Sequence, residues 1–180
     1  MQEKRHELPS DTGESRELLK SIIRFMKMNQ QLSLKELVSL YTEVSPEESV
    51  PVSIFSTALS PSEALCKYLK ENRSLSFHEI AVLLNRDDRS VWTSYSRAAG
   101  KTRAQFTIAE DDIHIPVLIF QDRSFSILEH VVSYLRENYR YSNSKIARLT
   151  KKNPSSIATV ANRAVSKAKL KEGESPEDGS

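Results

Sequence analysis

The chain contains a near-copy of itself. Residues 50–55, "VPVSIF", return at 115–120 as "IPVLIF", an offset of 65. One residue is then inserted, and residues 59–101 align with 125–167 at an offset of 66 without a further gap. Fifteen of those 43 pairs are identical, among them Glu63/Glu129, Tyr68/Tyr134, Leu69/Leu135, Asn72/Asn138, Ile80/Ile146, Ala81/Ala147, Thr93/Thr159, Arg97/Arg163 and Lys101/Lys167. A duplication constrains the fold strongly: each copy must be a supersecondary unit, and the two units must find partners for their apolar faces. A fainter match of residues 22–40 to 65–83 stops before the last third of the repeat and reads as a two-helix element.

Each copy reads as three helices. The first begins at Ser60-Pro61 with Glu63 three residues after the cap, and its counterpart at Ser126 with Glu129. A serine whose oxygen takes an orphan N–H, answered by a glutamate reaching back, is a capping box, and proline suits the first helical position. Leu65, Tyr68 and Leu69 recur as Val131, Tyr134 and Leu135, an apolar stripe at helical spacing. A second helix starts from the box Ser76/Glu79 and carries Ile80, Ala81, Leu83 and Leu84 inward. It is expected to end at Asn85, a residue that tolerates the left-handed backbone of a sharp stop; Lys151, in the second copy, tolerates it less well. A third helix starts near Asp87 in one copy and at Asn153-Pro154 in the other. Val91, Tyr95 and Ala98, like Ile157, Ala161 and Ala164, fall at i, i+4 and i+7 and face inward.

The opposite stripe is then free. It holds Arg89, Ser90, Trp92, Thr93, Ser96 and Arg97 in the first copy, and Ser155, Ser156, Ala158, Thr159, Asn162 and Arg163 in the second. The pattern "LSPSEA…LSFHEIAVLLN…RSVWTSYSRAAGK" resembles the C-terminal helix-turn-helix of sigma factors (region 4) and the related output domains of response regulators. Glu79, Ile80, Ala81, Leu84, Val91, Arg97, Ala98 and Lys101 fall on that pattern. The unit is also similar to archaeal helix-turn-helix regulators in which an I-P-x-x-I-F segment precedes it. The resemblance covers about 45 residues, twice, and the turn glycine of the family is Asn85 or Lys151 here. It implies a mainly α fold of tandem tri-helical helix-turn-helix units with short extended linker segments. The expected organisation is a disordered tail at 1–14, a two-helix element with an extended lead-in at 15–58, a first unit at 59–103, an extended linker at 104–125, a second unit at 126–170 and an acidic disordered tail at 171–180.

In such a motif the third helix enters the major groove. Arginine forks onto guanine, asparagine onto adenine, and apolar groups meet the thymine methyl. Arg89, Ser90, Trp92, Thr93 and Ser96, with Ser155, Ser156, Ala158, Thr159 and Asn162, are therefore the base-reading candidates, and Arg86, Lys101, Lys145, Lys151, Lys152 and Lys167 the phosphate-contacting ones. Arg97 and Arg163 have two open roles. They recur with Glu63 and Glu129 and either pair with them across the unit or reach DNA. Trp92 has an alternative role in packing against a neighbouring unit, and the lysines one as an ordinary solvated face. His130, which replaces Ala64, is expected at the surface.

Net charge, +2, says little, but its distribution says more. Residues 129–171 hold ten Lys/Arg against two Asp/Glu, and 60–103 hold eight against five, so both units are basic. Four glycines, three of them in or near the polar ends, leave no loop to cradle a nucleotide phosphate. The lone Cys66 excludes an internal disulfide and fits a reducing cytoplasm. No histidine sits at metal-ligand spacing, so no metal or other cofactor is expected, and no catalytic set stands out. No membrane-length apolar run occurs. The expectation is a non-enzymatic, sequence-specific transcriptional regulator whose two recognition helices grip double-stranded DNA. A protein-interaction adaptor, docking on RNA polymerase or another transcription protein, is the alternative. The N-terminal helices offer a route to a homodimer. A single chain should prefer an asymmetric or direct-repeat site, with readers one helical turn, roughly 34 Å, apart.

Overall fold

The structure is a computed structural model that describes residues 49–173. The chain divides into two units, Met1–Glu43 and Val44–Ser180, and the described residues belong to the second. The expected tail at 1–14, the two-helix element and the final acidic residues 174–180 lie outside the described residues.

The described chain is mainly α-helical. A short strand β1 (Ser49–Pro51) and a 3₁₀ turn (Val52–Ser56) lead into α1 (Pro61–Lys67), α2 (Phe77–Leu83) and α3 (Asp88–Lys101). The order then repeats: β2 (His114–Pro116), a 3₁₀ turn (Val117–Gln121), α4 (Ile127–Tyr139), α5 (Asn143–Thr150) and α6 (Pro154–Gly173). Capping boxes open α1, α2 and α4, with Ser60, Ser76 and Ser126 accepting from the N–H of Glu63, Glu79 and Glu129 and those glutamates accepting in return. α5 keeps only half a box: Ser142 accepts from the N–H of Lys145, which replaces the returning glutamate.

Among the described residues, the non-glycine ones with positive φ are Ser74, Asn85, Arg140 and Lys151, two pairs 66 residues apart. The backbone around them also repeats. Leu75 N–H donates to Leu69 O as Tyr141 does to Leu135, and Arg86 N–H donates to Ala81 O as Lys152 does to Ala147. The bonds from Arg86 and Lys152 are the six-to-one bonds that close a helix C-terminus, and those from Leu75 and Tyr141 span one residue more. Lys151 therefore makes the same left-handed stop as Asn85, at φ 48° against 51°. One departure separates the copies: α1 widens into a π turn (Tyr68–Asn72), whereas α4 stays regular. Just before that turn Lys67 is fully buried, and its ammonium donates to both Glu71 oxygens at 2.6 Å. Its counterpart is Ser133.

The segment 104–125 is not a plain linker, and neither lead-in belongs to its own unit alone. β1 and β2 pair antiparallel, with Val50 opposite Ile115, Ser49 opposite Pro116 and Pro51 opposite His114. The 3₁₀ turn after β1 packs on α1 and also on α5 of the other copy; the turn after β2 packs on α4 and on α2. α1 and α4 touch each other. Phe55 and Phe120, counterparts in the repeat, meet with ring centroids 6.3 Å apart and are both buried. One continuous core results, running from Val50, Ile54 and Leu65 through Ile115 and Phe120 to Leu135 and Ile157. Each unit thus lends a wall to the other, which is how two small helix trios find enough apolar surface to bury.

α6 runs to Gly173, past the point where an acidic tail is expected to begin. Lys171 anchors it with an ion pair to Asp122 at 2.7 Å. His130 is also misjudged by sequence. It is half-buried, its Nε2 lies 2.9 Å from Asp122 O, and its ring sits against Phe120 and Phe125. Burial holds its pKa below the usual imidazole value.

Candidate nucleic-acid interface

The third helix of each unit is held by its inner stripe. Val91 and Ala98 are buried in α3, and Ile157, Ala161 and Ala164 in α6. Tyr95 is half-buried and meets Phe77 in a tilted ring contact, centroids 5.4 Å apart. Asp87 caps α3 by accepting from Ser90 N–H at 2.8 Å and Ser90 Oγ at 2.7 Å, which lowers its pKa. Asn153 does the same for Ser155 N–H and Oγ at 2.9 and 2.7 Å.

The outward stripe stands open. Trp92 is 55% exposed, Arg89, Ser90 and Arg97 are exposed, and Thr93 and Ser96 are half-buried. On α6, Ser155, Ser156, Thr159, Asn162 and Arg163 are exposed and Ala158 is half-buried. Local bonding narrows what some of these can offer. Thr93 donates its hydroxyl to Arg89 O at 2.7 Å, and Thr159 to Ser155 O at 3.0 Å. Their hydroxyl protons are spent on the helix, leaving oxygen lone pairs and methyls for a ligand. Ser90 and Ser155 are likewise committed as donors.

The cations sort into two groups. Lys101 donates to Glu63 at 2.8 Å and Lys167 to Glu129 at 2.7 Å, tying the third helix to the first in both units. Burial raises the pKa of each glutamate, but the lysine ammonium and the capping N–H outweigh it, and both end below the usual value. The ion pair from third helix to first within a unit, weighed for Arg97 and Arg163, is made instead by the lysines one helical turn further on. Lys101 and Lys167 therefore have structural work, and Arg97 and Arg163 point to solvent. Arg86 is half-buried with its Nε sealed from solvent and without a hydrogen bond, and Lys152 is half-buried too. Lys145 and Lys151 are exposed, Lys145 resting 3.5 Å above the Tyr141 ring.

Arg148 and Arg123 are exposed as well. Arg148 lies on α5, but its repeat counterpart is Val82, so comparing the copies conceals it. Arg123 lies close enough to Asp87, at the head of α3, to help lower that carboxylate's pKa. It sits where the repeat is interrupted and leaves no sequence signal.

Elsewhere, burial pushes the Cys66 thiol up to about 11, so it is not a thiolate at neutral pH. Among the described residues, no cluster of three or more His, Cys, Asp or Glu is placed to hold a metal ion, and no helix is long and apolar enough to cross a membrane. No family model, curated protein or solved structure matches this chain.

Proposed function

We propose that this protein is a sequence-specific, double-stranded-DNA-binding transcriptional regulator built from two tandem helix-turn-helix units, α1–α3 and α4–α6, with α3 and α6 as major-groove readers. The observation that carries this reading is the pairing of a buried inner stripe with an open outer stripe on both third helices. The outer stripe combines forked, hydroxyl and small apolar groups suited to base edges. Arg89, Trp92, Ser96 and Asn162 are the strongest base readers. Phosphate contact falls to Arg97, Lys145, Arg148, Lys151, Arg163 and Arg123, because Lys101 and Lys167 are engaged within the fold.

The half capping box at α5 supports the same reading. A Glu-to-Lys difference there gives up a local stabilising contact and places a cation at the start of a helix, against the helix dipole. Anchoring a phosphate there gives that cation a use. Binding should fall steeply with salt, with a log–log slope near −5 for about six phosphate contacts. Titration of labelled duplex pools at several salt concentrations tests it. Absence of binding at low salt would end the proposal.

The adaptor reading draws on one observation, the exposed apolar pair Val82 and Trp92, at 65% and 55%, on α2 and α3. Quenching of Trp92 fluorescence by duplex DNA favours the DNA reading. Recovery of polymerase subunits after nuclease treatment favours the adaptor.

A further inference from the structure

We infer that the target of this single chain is an imperfect inverted repeat: two half-sites in opposite orientation, related but not identical, both read by one molecule. The inference rests on the DNA-binding reading above and replaces the direct-repeat expectation. Its carrier is the symmetry of the seam. In the antiparallel ladder, Val50 faces Ile115, which is its own counterpart in the repeat. Ser49 faces Pro116 and Pro51 faces His114, so the register is reciprocal around that central pair. Antiparallel strands that match counterpart to counterpart are related by a twofold rotation, not by a translation.

The packing obeys the same operator. Phe55 meets Phe120, α1 meets α4, and each 3₁₀ turn reaches across to the other unit's second helix, 52–56 to α5 and 117–121 to α2. Within the units, the four left-handed residues and their closing hydrogen bonds coincide pair by pair. The rotation that exchanges the lead-ins therefore also exchanges α3 and α6. A straight duplex touched alike by two readers so related must share their axis. Duplex DNA has such local twofold axes, and the sequence around one reads as an inverted repeat. A direct repeat would need readers related by a screw along the duplex, which this seam forbids.

The half-sites cannot be equal, because the readers are not. Ser90/Ser156, Thr93/Thr159 and Arg97/Arg163 are common to both faces, while Arg89/Ser155, Trp92/Ala158 and Ser96/Asn162 differ. Bases opposite the shared residues should recur in both halves; those opposite the differing ones should not. Arg89 points to a guanine in the first unit's half and Asn162 to an adenine in the second's.

Selection of bound sites from random duplexes with the full-length chain tests this, followed by binding to the selected halves rebuilt in inverted, direct and everted order. The expected result is an imperfect inverted repeat at fixed spacing, occupied by one chain per duplex in light scattering. The variant Trp92→Ala should change base preference in one half only. Enrichment of a direct repeat, of a single half-site, or of a perfect palindrome carrying two chains overturns the inference and leaves the DNA-binding reading standing. Failure to enrich any sequence, with no binding at low salt, removes both.

Discussion

Removing one ring from the seam should weaken both units together. Phe55 is buried against Phe120 at the point where each unit contributes to the other's core. Truncating a buried phenylalanine to alanine costs about 3–5 kcal/mol, the lost transfer energy plus the cavity left behind. With a urea dependence of about 2 kcal/mol per molar for a domain of this size, Phe55→Ala should lower the unfolding midpoint by about 2 M. Phe120→Ala should cost nearly as much. The double variant should cost less than the sum by about 0.5–1.5 kcal/mol, because the first truncation already removes the ring–ring contact. Two probes decide whether the lesion is shared. Trp92 fluorescence reports the first unit, and helical circular dichroism reports both. Coincident single transitions, shifted together, are expected. A dichroism curve that splits in two, with only the Trp92 step moved by Phe55→Ala, would refute the claim of one continuous core. Phe55→Leu, a milder change of about 1 kcal/mol, keeps the experiment readable if the alanine variant does not fold.

Other outcomes follow from the same structure. Lys101→Ala and Lys167→Ala should lower thermal stability while leaving the salt slope of DNA binding nearly unchanged, whereas Lys151→Ala should reduce that slope by about 1. Lys151→Gly should raise stability by up to about 1 kcal/mol, measured by chemical denaturation, since glycine relieves the left-handed strain at φ 48° more than it costs in chain entropy. Acid should act in two stages. His130 is held neutral by burial below its ordinary 6.5, so stability falls as pH drops from there, and His130→Asn should abolish this first stage. Glu63 and Glu129 are shifted below 4.5 and Asp122 from 3.8 to about 2, so their stabilisation is present above the ordinary carboxylate range and drains away as pH falls through it; thermal melts against pH should show this second, steeper loss.

The parts of the fold that are legible in the sequence are local. Ser60-Pro61-Glu63 and Ser126-Glu129 announce helix starts because capping is decided within four residues. The inner stripes of α3 and α6 follow from the helical period alone. The exchange of lead-ins is illegible, because three-residue strands have almost no pattern and their pairing spans 65 residues. The π turn at 68–72 accompanies the burial of Lys67, which no periodicity foretells. The candidate site shows the same divide. That Arg97 and Lys101 both recur with Glu63 is visible, but which one reaches the glutamate depends on how the third helix crosses the first. Arg148 and Arg123 are hidden for the opposite reason: the repeat that reveals so much is silent wherever the two copies differ.

The seam has a consequence for dilution. Two separate chains that each held one such unit would associate in proportion to the square of their concentration and come apart when scarce. Here the partner is always tethered about sixty residues away, so the twofold arrangement persists however few molecules are present. Occupancy of a target should then rise linearly with the amount of protein at low dose, without the threshold that an assembling pair imposes.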